Sequence, residues 1–235
     1  MKRFLTLTVV LLATLTMSAQ NVVTSDATVS EKYPAWRISA QGGYAFSLGI
    51  LDKSQDAVLL DHSKKLRHGY TYGADATWYF MKSLGAGIKY NSRSAHNSEH
   101  VTVTYEDGTQ ESGLMEENMN YWFLGPMFSY RVMSKNMRSS FIMNFAYGYV
   151  GYDDDFVLID PYKVKGWTLG YMYELGYDIG ITDKISVGAV VSLVSANLFE
   201  YKTNINGAWE TVTLENEDML SASYVNVSIG LRFTL

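Results

Sequence analysis

Four histidines, His62, His68, His96 and His100, lie in one third of the 235-residue chain, with Ser98 and Glu99 among them. Imidazole is both the commonest biological metal ligand and the side chain best suited to proton transfer near neutral pH. If the chain turns back at Lys82, His68 and His96 face each other across two strands, and Glu99 could complete a divalent-metal site. Ser98 and His100, two residues apart, share a face, but a Ser–His pair needs an orienting third group, and Glu99 points the other way. Asp153-Asp154-Asp155 could attract calcium, although an acidic tip of this kind is ordinarily a solvated surface. Four histidines on a wetted face and a solvated acidic tip explain both patterns. The sequence therefore assigns no metal, no cofactor and no catalytic residue, and the protein is read as a non-enzyme. The chain has no cysteine, which removes disulfides and thiolate-held metals.

A different set of charges is more informative: Arg37, Asp75, Lys89, Arg93, Arg131, Glu174, Asp178 and Arg232. Each falls on the polar face of a segment whose other face is apolar, with a period of two residues. That period identifies strands. Trp36, Ile38, Ala40, Gly42, Tyr44, Phe46 and Leu48 alternate with small or polar residues. Trp167 to Ile179 does the same, with Tyr171, Tyr173 and Tyr177 on its bulky side. Further strands are expected over 70–80, 84–93, 120–132, 141–149, 185–193 and 225–233. The polar face of each is small as well as hydrophilic. Short turns at Met81-Lys82-Ser83, 133–138 and Thr182-Asp183-Lys184 alternate with long polar connections over 49–66, 95–118, 153–165 and 197–219. In the second of these, Val101 to Thr104 and Asp107-Gly108 suggest a hairpin. A turn centred on Lys82 sets Asp75 opposite Lys89, a favourable cross-strand pair. Pro126 removes a ladder hydrogen bond within the fourth strand, and a bulge is expected there.

Eight strands joined by alternating short and long connections predict an all-β, antiparallel, up-and-down transmembrane barrel. The bulky side of each strand then meets lipid, and the small hydrophilic side meets a filled interior. Rings cluster near the strand ends, Trp36, Trp78, Phe80 and Phe233 at one level and Tyr70, Trp122, Tyr149 and Trp167 at the other, as two interfacial girdles require. A soluble ligand-carrying barrel is the rival. It would bury Lys89, Arg93, Glu174 and Asp178 around its ligand and leave most of the rings in water. The eight inward charges, five basic and three acidic, are read as a structural ionic network.

The segment from Lys2 and Arg3 through the apolar run Phe4–Met17 to Ser18-Ala19 reads as a cleaved signal peptide, residues 1–19. The run is shorter than the ~20 residues of a spanning helix. Residues 20–34 are expected to form a polar periplasmic leader, and 35–235 the barrel. Removing Lys2 and Arg3 leaves 17 basic against 24 acidic residues, a balance that excludes nucleic acid as a partner.

The C-terminal octapeptide Ser228-Ile229-Gly230-Leu231-Arg232-Phe233-Thr234-Leu235, with the strand count and the alternation of connections, resembles the small eight-stranded outer-membrane barrels. These are the OmpA, OmpX and OmpW class and the porin-family β-barrel domain. Ser228, Gly230, Phe233 and Leu235 occupy the places of the family's assembly signal, with Leu235 where Phe is commoner. The resemblance implies a monomer in the outer membrane of a Gram-negative bacterium, in contact with lipid and lipopolysaccharide and inserted by the barrel-assembly machinery. It implies a structural or surface-interaction role, with an extracellular ligand held by the long loops. The alternatives are a narrow porin for small solutes or ions and, less favoured, a lipid A-modifying barrel enzyme.

Overall fold

A strand with one apolar face cannot leave its backbone unpaired in lipid, so the sheet must close on itself. The computed structural model describes residues 33–49, 57–104, 109–158, 160–205, 207–214 and 219–235, and in it the sheet closes. The elements are β1 (Trp36–Ser47), α1 (Ala57–Leu66), β2 (His68–Tyr79), β3 (Leu84–Thr104), β4 (Gln110–Met133), β5 (Ser139–Leu158), β6 (Asp160–Gly180), β7 (Ile185–Leu198), β8 (Glu200–Ile205), β9 (Ala208–Thr213), β10 (Leu220–Ser221) and β11 (Tyr224–Thr234). Eight of these form an antiparallel ring in the order β1-β2-β3-β4-β5-β6-β7-β11 and back to β1. The seam is tight: Trp36 N–H donates to Leu235 O at 2.9 Å and Leu235 N–H returns to Trp36 O at 3.0 Å. Asp75 stands opposite Lys89, as the turn at Lys82 requires. The signal peptide and nearly all of the leader lie outside the described residues, as does Asp107-Gly108.

Outside the ring, rings and branched chains face away from the protein on every strand: Ile38, Tyr44 and Trp78; Ile88 and Phe128; Phe145 and Tyr173; Val191, Ile229 and Phe233. So large a belt would be untenable in water, and it is what a lipid-facing wall needs. No helix among the described residues is long and apolar enough to cross a membrane; the crossing is made by strands.

The interior departs from the uniformly small, polar face expected. One half is ionic, lined from β1, β2, β3 and β11 and joined across the axis by Glu174 and Asp178 of β6. The other half is an apolar core of Phe123, Met127, Ala146, Val150, Met172 and Val194 from β4 to β7. In a lumen this narrow, inward side chains meet one another across the axis, so apolar ones bury as they would in a soluble core.

Other departures lie above the upper girdle. The connection over 95–118 is not a polar loop: the expected hairpin with Val101–Thr104 forms as the end of β3 and β4, which run on without a break from Leu84↔Tyr130 to Thr104↔Gln110. Asp153, Asp154 and Asp155 are not a loop tip either. They lie within β5, and alternation turns Asp154 inward, where it is buried. The 49–66 connection carries α1, and the 197–219 connection carries a second hairpin, β8–β9. Helix α1 was hidden because its buried side is only His62 and Leu66, too few residues to give a helical period.

The expected bulge at Pro126 does not form. Leu124 pairs Tyr149 and Met127 pairs Ala146, so the register with β5 is kept through the missing donor. Beside it, Gly125 and Gly148 bring two backbones so close that a Cβ on Gly148 would strike the Leu124 carbonyl and the Gly125 Cα. At Gly176 an added Cβ would meet only Val190 Cγ2 at 3.2 Å and Ala189 O at 3.5 Å. Gly148→Ala is therefore expected to destabilise the barrel by about 2 kcal/mol or more, and Gly176→Ala by less than about 1 kcal/mol. Urea midpoints of the heat-modifiable folded band for the two variants give the comparison directly.

Candidate functional site

Inward strands bring three carboxylates and three cations into one buried layer. Arg37 on β1 reaches Asp75 on β2 at 2.8 Å and Asp178 on β6 at 3.0 Å. Lys89 on β3 reaches Asp75 at 3.1 Å and Glu174 at 2.6 Å. Arg232 on β11 reaches Asp178 at 3.0 Å. Ser39 donates to Asp75, Gln41 to Glu174 at 3.3 Å and Asn144 to Glu174 at 2.7 Å, while Arg232 donates to Gln41 Oε1 at 3.2 Å. Three positive and three negative charges cancel, and each carboxylate has a charged partner, the condition under which buried charge is tolerable.

The remaining two of the eight inward charges stand apart from this layer and cap its ends. Arg131 donates to the carbonyls of Lys82 at 2.9 Å and Pro34 at 2.5 Å, with its guanidinium 3.6 Å from the centre of the Tyr79 ring. Arg93, fully buried, donates to Leu66 O at 2.5 Å and Arg67 O at 3.1 Å. A cation there satisfies orphan carbonyls and meets the negative end of the helix dipole, so it fastens the C-terminus of α1 to the barrel wall. Beside Arg93, whose guanidinium lies 5.3 Å from the centre of the Tyr121 ring, Tyr121, Tyr152 and Tyr224 pack ring against ring across the lumen, and Tyr224 donates to Asn91 at 2.8 Å. Gln41, Tyr79, Asn91 and Asn144, which complete these contacts, were not singled out from the sequence. Their inward parity was the signal that could have found them.

The histidines contact different residues. His68 contacts Tyr44, and His96 Nδ1 lies 2.8 Å from Asn118 Oδ1. Ser98 and His100 are exposed on one strand face, opposite Glu116 and Leu114. Among the described residues no group of three or more side chains is placed to hold a metal. His62 behaves differently. It is buried on α1 with Nδ1 3.0 Å from Glu99 and Nε2 3.1 Å from Glu117, and the Phe156 ring meets it edge-on. Glu117 in turn shares a hydrogen bond with Asp154, which also accepts from Tyr152 Oη at 2.8 Å. These residues lie above the girdle rows of Trp122 and Tyr149, outside the spanning part. Burial, and then repulsion from Asp154, push Glu117 up to about 8, while burial raises Asp154 to about 6.

Two expectations follow. Lys89→Met leaves Glu174 without a cation and is expected to cost about 3–5 kcal/mol. Adding Glu174→Gln recovers most of it, because the uncompensated charge causes the loss; urea midpoints measure both. The acid pair gives a pH dependence of definite sign. Both folded-state values lie above the unfolded ones, so the folded form binds more protons, and stability in this region falls as pH rises from about 4.5 through about 8. Amide exchange at α1 and the upper end of β4 is expected to quicken over that window, and Glu117→Gln to flatten the change.

No protein-family model and no curated protein matches the sequence. Solved structures share the architecture. Neisserial surface protein A superposes with a TM-score of 0.51 at 9% identity, covering 85% of this chain and 97% of that one. OprG of Pseudomonas aeruginosa gives 0.51 at 15%, covering 86% and 97%. A major outer membrane protein of Thermus thermophilus gives 0.54 at 10%, covering 87% and 100%. Identities this low carry the fold alone. Together with the apolar outer belt and the filled interior, they give this chain the fold of the small eight-stranded outer-membrane β-barrels.

Proposed function

We propose that the protein is a closed barrel whose work is done at the cell surface, by the sheet and helix that stand above the membrane. The observation that carries this reading is the lumen. A neutral layer of interlocked charges crosses one half, an apolar core fills the other, and tyrosines with α1 lie above both. A selectivity filter uses a ring of one sign, whereas here Asp75, Glu174 and Asp178 are matched one for one. In the same reading, residues 1–19 are removed on export. Ser228, Gly230, Phe233 and Leu235 present the assembly signal to the insertion machinery: Phe233 and Leu235 face outward, and Ser228 and Gly230 lie in the β1 seam.

The narrow-pore reading is separated by planar-bilayer recording of the purified protein. Silence is expected from the native chain. Replacing Arg37 and Asp178 together by Ala removes an ion pair that bridges β1 and β6 across the layer and is expected to produce discrete steps. Steps of similar size from the native chain would establish a pore instead.

A further inference from the structure

We propose that a cleft on the outer wall, at the level of the upper girdle, binds a sugar ring of the glycolipid headgroups around the barrel. The proposal rests on the outer-membrane placement above and deepens the surface role by naming a ligand class.

The cleft is built by register. Trp122 of β4, Gly151 of β5 and Trp167 of β6 stand in one cross-strand row on the outward face. Gly151 contributes no side chain, and the Trp122 indole occupies the space above it, where an added Cβ would strike the ring. Trp167 is 67% exposed, and the Tyr149 ring is 5.8 Å from it. The far wall comes from an irregularity. Ala196 pairs Gly170, but Tyr201 pairs Gly166, so the β7–β8 side carries one extra residue. This bulge leaves both Phe199 and Glu200 exposed beside Trp167, the kind of re-aiming for which bulges are used next to sites. The cleft is open on one side, with a volume of about 780 Å³.

Polar chemistry occupies the next row up. Asp153 lies opposite Lys165, at 3.2 Å, and Lys165 lies opposite Lys202 on β8. Two lysines directly across a pair repel, and Asp153 offsets this only at Lys165. With Glu200, the rim carries two cations and two anions. A phosphate would meet repulsion from half of these groups and an acyl chain would desolvate all of them. A neutral polyhydroxylated ring suits the set, because hydroxyls both donate to carboxylates and accept from ammonium groups. Its C–H face can lie on the electron-rich face of an indole. Mostly apolar walls with a few convergent polar groups are the usual construction of small-ligand sites. Just below, Tyr149 and Leu169 are lipid-facing, which sets the cleft at headgroup height.

The test uses the refolded full-length protein in detergent, followed by tryptophan emission. The probes are intact lipopolysaccharide, the lipid-free core oligosaccharide released from it, and inorganic phosphate. Saturable changes are expected with the first two and none with phosphate. Trp167→Ala and Gly151→Ala, each checked for heat-modifiable mobility, are expected to weaken oligosaccharide binding about tenfold or more. Lys202→Ala lies on an exposed strand and keeps the test open if either fails to fold; it is expected to weaken binding by a smaller factor. Absence of an oligosaccharide effect, affinity unchanged to within about twofold in the variants that fold, or competition by phosphate would each overturn the proposal. Bilayer silence is independent of all three, so failure here is distinguishable from failure of the closed-barrel reading.

Discussion

The bilayer core supplies no hydrogen bonds, and that one deficiency governs the molecule from Trp36 to Leu235. Every backbone N–H and C=O in that zone needs a protein partner, so the strands pair around a closed ring. Closure then sorts side chains by parity. Residues of one parity meet lipid, and residues of the other meet one another in a space only wide enough for themselves. Charge at this depth has one allowed place, inside and paired. The layer of Arg37, Asp75, Lys89, Glu174, Asp178 and Arg232 is thus a consequence of closure. It is fixed in turn by the registers that closure sets, Asp75↔Lys89 and Gln41↔Gly230 among them.

Parity was legible because strands have a two-residue period that nothing in the spanning zone interrupts. All eight inward charges were identifiable one by one for that reason. What pairs with what was not legible beyond Asp75 and Lys89. The bonds from Arg37 to Asp178 and from Gln41 to Glu174 cross the lumen between strands far apart in sequence, and their geometry depends on strand tilt and stagger, which alternation does not encode. The apolar half was missed for a related reason. Phe123, Met172 and Val194 sit among outward rings in segments that look apolar on both faces, a pattern that fits a wall buried on two sides as well as a lipid-facing one. Pro126 misled in the opposite direction. A bulge is a common way to accommodate a missing donor, but the glycine pair beside it let the strands approach without a shift in register.

Above the girdle, sequence reasoning failed more often, and the physics changes there. Water can satisfy a loose carbonyl, so a helix, a bulge and a second hairpin are all permitted where the spanning zone forbids them. Turn-like composition then stops discriminating. Asp153-Asp154-Asp155 has the composition of a loop tip yet remains strand, because β4 and β6 continue on either side and supply its ladder. Once it is strand, alternation must bury one of the three. Asp154 is that residue, and its company with Glu117 and His62 follows from a strand length that composition did not reveal.

The same contrast says where selection for function can act. A side chain in the spanning lumen is constrained by charge balance and volume from every direction, so a change there is felt first as stability. Side chains above the membrane are constrained on one side only. His62 holds α1 against β3 and β4 through two carboxylates, one of them part of a buried acid pair whose proton is bound near neutral pH. A structural ion pair on a surface would gain nothing from so much desolvation. Its cost is supportable because the membrane-spanning ladder beneath already fixes the register of β3, β4 and β5. The barrel thereby acts as a rigid base on which polar, marginally stable and water-facing arrangements can be held in place, and these are the arrangements with which a surface protein can meet a ligand.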